Sequence, residues 1–158
     1  DEDAYYVNFT SGMNAVFKVN RANGETLWAL GNSRGNLQLN SPETFELTHQ
    51  LAPLNPEEFM MFVNITDQSE CARIAHVSID ESTASAEANW LLGESECLTV
   101  FGLGGVQRLS NGNTMAVWST AGRIEEFDPQ LELIKRIDVE FGYAFGYSQH
   151  VESLYAAD

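Results

Sequence analysis

Two histidines and two arginines are the residues of this sequence best placed to do chemistry. His49 and His150 each stand just before a short apolar segment with a strand-like pattern, so both would lie where a strand begins. An imidazole near neutral pH can accept a proton, bind a ligand or attack an electrophile. Arg108 lies within a predicted strand and Arg34 in a glycine-bounded loop, and a guanidinium in either place could hold an anion.

The third histidine and the acidic residues carry weaker signals. His76 lies in the middle of a predicted strand, between small apolar residues, so we expect it to be structural. Four acidic residues crowd two loops near the cysteines: Asp67, Glu70, Glu94 and Glu96. They could bind Ca²⁺ if the loops converge, but such residues more often form a solvated face. We therefore predict no metal and no cofactor.

The two cysteines leave two alternatives open. Cys71 and Cys97 do not have the short spacing of a metal site, so they form either a disulfide or two buried thiols. A disulfide would imply an oxidising compartment. Asn8 and Asn64 each begin an Asn-x-Thr glycosylation sequon, but both fall at predicted strand ends and we expect neither to be modified.

Composition restricts the classes of partner. The chain has 158 residues, 44% of them apolar, which is too many for a disordered protein and enough for a core. Its net charge of −15 argues against nucleic acid and against an anionic membrane surface, since both recruit clustered Lys and Arg. No apolar run approaches the roughly 20 residues of a membrane-spanning helix. The acidic first residues do not resemble a signal peptide.

Short apolar segments alternate with tight turns along the whole chain, and this pattern would position the candidate residues. Two units of four antiparallel strands each are predicted, at 51–54, 59–63, 73–80 and 86–92, and at 106–109, 114–118, 123–128 and 131–137. Asn111-Gly112 is typical of a type I′ hairpin. Strands at 4–9, 16–20 and 26–30 resemble the last three strands of such a unit. Asn20, Asp80 and Asp128 each stand beside the turn between the last two predicted strands of a unit.

A unit of four antiparallel strands in about 50 residues is typical of a β-propeller blade. We predict an all-β, propeller-type arc of about three such blades, incomplete at both ends, in one partial domain. Residues 1–47 would form an incomplete first blade and a loop, 48–103 the second blade and 104–147 the third. Residues 148–158 would supply a strand for a further or neighbouring blade. Residues 31–42 and 93–105 are predicted to be connecting loops.

An arc of three blades exposes strand edges, because propellers usually close with 4–8 blades. One expectation is a head-to-tail oligomer, in which the C-terminal strand of one copy completes the first blade of another. The result would be a dimeric ring or, without closure, a filament. The alternative is that the missing blades belong to a longer chain.

Several segments resemble one known family. Residues 14–31 read N-A-V-F-K-V-N-R-A-N-G-E-T-L-W-A-L-G, which is similar to the blade motif of the bacterial arylsulfate sulfotransferases, N-A-V-x-K/R-I-D-R-x-T-G-x-x-x-W-x-L-G. Residues 48–50, 106–114 and 151–155 also resemble parts of that family, mostly its C-terminal half. The resemblance covers most of the chain and implies a propeller fold and a periplasmic or extracellular location.

The resemblance also implies a chemistry, the transfer of a sulfuryl group between phenols through a histidine and without a nucleotide donor. His49 matches the family's histidine position, and His150 stands where the family tends to have an arginine. Sulfuryl transfer needs a neutral imidazole and cations around the sulfate oxygens, so Arg108 and Arg34 become candidate substrate ligands. Gly104-Gly105 stands at the matching position of the third blade.

These residues make an incomplete site by themselves, and we expect the chain to be inactive unless another copy or further blades rebuild the channel. The rival hypothesis is a non-catalytic propeller module that self-assembles or binds a partner through its edges.

Overall fold

The computed structural model describes residues 3–10, 12–31, 35–40, 47–64, 71–92, 97–140, 144, 146 and 148–152. Strands account for nearly all the regular structure of these residues, together with one turn of 3₁₀ helix at Ser119–Ala121. The strands are β1 (Ala4–Phe9), β2 (Ala15–Asn20), β3 (Thr26–Gly31), β4 (Gln38–Leu39), β5 (Thr48–Asn55), β6 (Glu58–Val63), β7 (Arg73–Asp80), β8 (Ser85–Leu92), β9 (Gly105–Arg108), β10 (Thr114–Trp118), β11 (Arg123–Phe127) and β12 (Leu133–Asp138).

The strands form three sheets, and none of the sheets closes on itself. Sheet 1 has the order β1-β2-β3, sheet 2 has β4-β8-β7-β6-β5, and sheet 3 has β12-β11-β10-β9. All pairings between consecutive strands are antiparallel, and only the short β4 runs parallel to its neighbour β8. The prediction of an all-β protein with sequential antiparallel strands is therefore confirmed for the described residues.

Sheet 2 is the middle layer, and its strand β6 is apolar on both faces for that reason. Phe59 and Met61 pack with the residues of sheet 1, whereas Met60 and Phe62 pack with those of sheet 3. Because successive side chains of a strand point to opposite faces, a strand covered on both sides must read as a continuous apolar run. Each large side chain fully buried in this way contributes roughly 1.5–3 kcal/mol.

Sheet 3 shows the same rule in the interior strand β10 and the edge strand β12. All five residues of β10 are buried, and Ala116 and Trp118 pack against sheet 2. All six residues of β12 are exposed, because this strand forms the outer edge of the sheet.

The recurring acidic and amide residues at the last turn of each unit have one function. The side-chain oxygen of Asn20 accepts a hydrogen bond from Ala22 N, that of Asp80 from Ser82 N, and that of Asp128 from Gln130 N. These contacts begin the β2–β3, β7–β8 and β11–β12 turns, because a short polar side chain can close a turn with the backbone two residues on. The recurrence in the sequence therefore marks equivalent turns.

Three details differ from the predictions. The hairpin at Asn111-Gly112 forms, but it is not type I′, since only Gly112 has a positive φ (88°) and type I′ needs two such residues. The predicted connecting loop at 31–42 contains β4, which pairs with the outer strand of sheet 2. Residues 148–152 contain no strand, because no strand among the described residues pairs with them in a ladder; 153–158 lie outside the described residues.

The disulfide alternative is the one that the structure shows. Cys71 is bonded to Cys97, 26 residues away, so the bond joins the start of β7 to the segment between sheets 2 and 3. In the loop-entropy model a closure of this length contributes about 3–4 kcal/mol.

Candidate functional site

His49 lies at a backbone irregularity at the start of β5. It is paired with Phe62, and the register of β5 shifts between His49 and Leu51, which leaves Gln50 as the extra residue of a bulge. Gln50 has a φ of 38°, a conformation that residues with a side chain rarely adopt. Bulges that re-aim side chains are over-represented beside active sites. His49 is half-buried, and this burial lowers the pKa of its imidazole.

Two glycines of sheet 3 complete the surroundings of this bulge. The side-chain oxygen of Gln50 occupies the space beside Gly105, where an added Cβ would overlap with it. Gly104 has a φ of 102°, and its missing Cβ would lie 2.5 Å from the ring of Phe62. A side chain at Gly104 would be strained by the positive φ and would meet the ring of Phe62, whereas at Gly105 only the flexible end of Gln50 would have to move. Packing therefore disfavours a histidine at Gly104, and the Gln50 side chain occupies the space beside Gly105.

Asn64 fixes the segments that lead into β5 and β9. Its backbone N–H donates to Leu47 O (3.2 Å), and its Nδ2 donates to Val100 O and to Leu103 O, both at 2.9 Å. The residue is 4% exposed, and its Oδ1 is buried without a partner. We missed this positioning role in the sequence, although the sequon had drawn attention to Asn64.

The expectation that the two sequons are unmodified agrees with these contacts. Glycosylation needs an accessible Nδ2, and the Nδ2 of Asn64 is used twice inside the protein. The Nδ2 of Asn8 donates to Thr48 O at 3.0 Å, and Asn8 Oδ1 accepts from Thr48 Oγ1 at 2.7 Å. Asn8 thereby fastens sheet 1 to the start of β5.

Arg108 does not lie at the level of His49. Its Nη1 donates to Gly112 O at 2.7 Å, and its Nη2 is 3.8 Å from Met60 Sδ. Met60 is paired with Ala52, three residues beyond His49 along β5. At about 3.3 Å per residue, the arginine lies roughly 10 Å along the strand from the histidine. The structure gives Arg108 a role in closing the β9–β10 hairpin and does not bring it to His49.

His150 lies on the other side of β9. Its backbone N–H donates to Gln107 Oε1 (2.9 Å), and its backbone oxygen accepts from Gln107 Nε2 (3.1 Å). Its exposed side chain lines a cavity of about 90 Å³ with Leu109, Met115, Ile124 and Ile137 among other residues. Since β9 stands between β5 and this segment, His49 and His150 belong to different surroundings.

Of the remaining candidates, only His76 lies among the described residues. Arg34 lies outside the described residues, as do the four acidic residues considered for calcium. His76 lies in mid-strand opposite Met60, with its Nε2 buried and 3.9 Å from Glu58 Oε1.

Two charged clusters escaped the sequence analysis. In the first, Lys18 Nζ and Trp28 Nε1 donate to Glu81 Oε1 at 2.5 and 3.1 Å. The hydrogen bond from Lys18, then its charge and the bond from Trp28, hold the pKa of Glu81 below its usual value, although partial desolvation opposes them. The sequence did contain a signal for a buried ion pair at Lys18, because a lysine that is buried in an apolar strand needs a carboxylate partner.

Glu125 is at the centre of the second cluster and is 4% exposed. Its carboxylate accepts hydrogen bonds from Trp118 Nε1 at 2.8 Å and from Arg136 Nε at 2.7 Å. Arg123 Nη1 lies 3.7 Å from Glu125 Oε1. Glu125 and Arg136 are direct cross-strand partners. Both clusters tie strands and sheets together, and neither lies beside His49.

The described residues contain no group of three metal-ligating side chains and no helix long and apolar enough to cross a membrane. The sequence matches no known family model and no curated protein.

Proposed function

We propose that the chain is a propeller-type protein of the arylsulfate sulfotransferase kind, or part of one, with His49 as the sulfuryl carrier. The observation that carries this proposal is a half-buried histidine beside a bulge, at the start of β5, an edge strand of sheet 2. Propeller geometry is supported by the face-to-face packing of successive sheets, whose first strands β5 and β9 adjoin through Gln50 and Gly105.

The chemistry needs a neutral nucleophile, and the lowered pKa of His49 favours that form at neutral pH. An imidazole nitrogen would attack the sulfur of an aryl sulfate and form an N–S bond. The S–O bond to the aryl group breaks, and the aryloxide leaves and takes a proton from water. A second phenol would then attack the sulfur and release its proton to water. The N–S bond breaks and the imidazole is restored.

The Cys71–Cys97 disulfide supports an extracytoplasmic location, because such bonds persist mainly in oxidising compartments. A phenolic sulfate would be the ligand. Its sulfate oxygens need cations that the surroundings of His49 lack among the described residues, so we propose that another copy or further sheets supply them.

The test is sulfuryl transfer from a chromogenic phenyl sulfate to a phenol acceptor. We expect His49→Ala to lower the rate at least about 100-fold, because it removes the attacking group. His76→Ala is the matched control, since it removes a histidine in the middle of sheet 2, and we expect it to stay active. A folded His49→Ala variant with undiminished transfer would refute the role of His49. An inactive wild-type protein would refute the proposal that copies of this chain alone complete the site.

A second function is favoured by the exposed apolar residues of the end sheets. Tyr5 and Phe9 of sheet 1 are 56% and 43% exposed, and Ile134 and Ile137 of sheet 3 are 55% and 45% exposed. Such surfaces mark sites of protein association. Under this proposal the chain is a non-catalytic interaction module that binds through its end sheets.

A further inference from the structure

Amide side chains mark the junction between each sheet and the next. Asn8 of sheet 1 bonds to Thr48 at the start of β5, and Gln50 of sheet 2 lies against Gly105 at the start of β9. Gln107 of sheet 3 continues the series, because its amide bonds to both backbone polar groups of His150. The segment 148–152 therefore occupies the place that an inner strand of a fourth sheet would take.

A further contact holds this segment in place. Ser110 Oγ donates to Glu152 Oε1 at 2.7 Å, beyond the end of β9. The segment thus follows sheet 3 over several residues, yet no strand among the described residues pairs with it. Its backbone is placed to pair with a strand from elsewhere.

Sheet 1 has the complementary features. It has three strands in the described part of the chain, whereas β5–β8 and β9–β12 each supply four, and only β2 pairs with β1. Trp28 and Leu30 face sheet 2, so the alternating positions of sheet 1 face away from it. This outer face of sheet 1 carries Tyr5 and the edge-to-face pair Phe9 and Phe17, whose ring centroids are 5.4 Å apart.

The outer face of sheet 3 is apolar as well. Leu109, Met115 and Ile124 form a small cluster on the face opposite the one that packs on sheet 2. Ile137, paired with Ile124, extends it to the exposed edge strand. The cavity beside His150 lies on this face, between the cluster and the tail segment.

We propose that these two faces bind each other in a head-to-tail pair of copies. Strand β1 of one copy adds to the 148–152 segment of the other, and the resulting four-stranded sheet packs on the outer face of sheet 3. The occupant is a second copy because sheet 1 supplies the three strands that the tail lacks, with an apolar face on the required side. The pair repeats the junctions seen within the chain. This inference rests on the interaction-module proposal and does not depend on sulfuryl transfer.

The test is the mass of the 158-residue protein in solution, followed by analytical ultracentrifugation as a function of concentration. We expect a pair of copies. We expect Tyr5→Glu and Ile137→Glu each to raise its dissociation constant at least about 30-fold, since each puts a charge into the apolar interface. Leu133→Glu is the matched control. It changes a similarly exposed apolar residue of the same strand, which is paired with Phe127 on the face that packs on sheet 2, and should leave the pair intact.

A mixing experiment tests the head-to-tail geometry. A Tyr5→Glu copy keeps an intact sheet 3 face and an Ile137→Glu copy keeps an intact sheet 1 face. We expect the mixture to form pairs although each variant alone is monomeric. A wild-type chain that is monomeric at every concentration would overturn the inference, as would an assembly that neither variant weakens. In the second case the interaction module stands with a different surface, and transfer activity is decided separately by His49→Ala.

Discussion

The two clusters of tryptophan, glutamate and cation use the same contacts but bury opposite charges. At Glu81 the buried member is the cation, since the side chain of Lys18 is 2% exposed and that of Glu81 is 48% exposed. At Glu125 the buried member is the carboxylate, which is 4% exposed, while Arg123 and Arg136 are 18% and 34% exposed. The first cluster joins two sheets, and the second joins three strands of one sheet.

The difference shows which partner each cluster depends on. An ion that stays in the interior after its partner is removed costs several kcal/mol, whereas an ion that can turn into water costs little. Each cluster should therefore be sensitive to loss of its glutamate, and an apolar substitute for the buried ion is tolerated only where the tryptophan N–H keeps its acceptor, as it does when Lys18 is replaced. Removing the glutamate also lowers stability in a second way, because the tryptophan N–H then loses its hydrogen-bond acceptor.

The largest effect is expected from Glu125→Ala. The substitution removes the acceptor of the buried Trp118 and the carboxylate that faces the partly exposed Arg136. We expect a loss of about 3 kcal/mol in the free energy of unfolding, measured by urea denaturation. Glu87→Ala, an exposed glutamate on strand β8, is the control and should lose less than about 0.5 kcal/mol. Similar losses for the two variants would mean that burial does not distinguish these carboxylates.

A smaller effect is expected at the first cluster, and it should be asymmetric. Glu81→Ala leaves a buried ammonium without its closest carboxylate, so we expect a loss of about 1–2 kcal/mol. Lys18→Met keeps the volume of the side chain, removes the buried charge and leaves Glu81 exposed to water, so we expect a change within about 1 kcal/mol. Thermal or urea unfolding of both variants measures the asymmetry. A larger loss for Lys18→Met would contradict it.

The pairing of Glu125 with Arg136 in the second cluster could have been predicted from the sequence, whereas the pairing of Lys18 with Glu81 in the first could not. Once the β11–β12 turn is placed at Asp128, the antiparallel register puts Glu125 opposite Arg136. Lys18 and Glu81 are 63 residues apart in different sheets, and no local pattern relates them. Strand order, turns and the continuous apolar runs follow from local periodicity. The packing of one sheet on another depends on contacts between distant residues.

The candidate site divides in the same way. The sequence placed His49 just before a strand, and the structure has it as the second residue of β5. It did not predict the bulge at Gln50, because the same residues could continue a regular strand. It grouped Arg108 with His49 because it predicted equivalent strands for both, but distance along the strand, about three residues here, separates them. The glycines opposite Gln50 looked like a lost histidine position. In the structure Gly104 has a positive φ and lies against Phe62, and Gln50 fills the space beside Gly105.

The smallest expected effect is on the pH dependence of stability. In the folded protein the pKa of Glu81 lies below its ordinary value of 4.5 because of the hydrogen bond from Lys18, with the charge of Lys18 and the bond from Trp28 adding to it. A carboxyl with a depressed folded pKa contributes stability that is present above its unfolded pKa and is lost as pH falls through the folded value. Wild type should therefore lose its advantage over Glu81→Gln between about pH 5 and pH 3, by less than about 1 kcal/mol because Glu81 is half exposed. Urea unfolding of both proteins across this range measures the difference, and Glu87→Gln serves as the control. An advantage that stays constant down to acid pH would show that the Lys18–Glu81 contact does not hold the carboxylate in its ionised form.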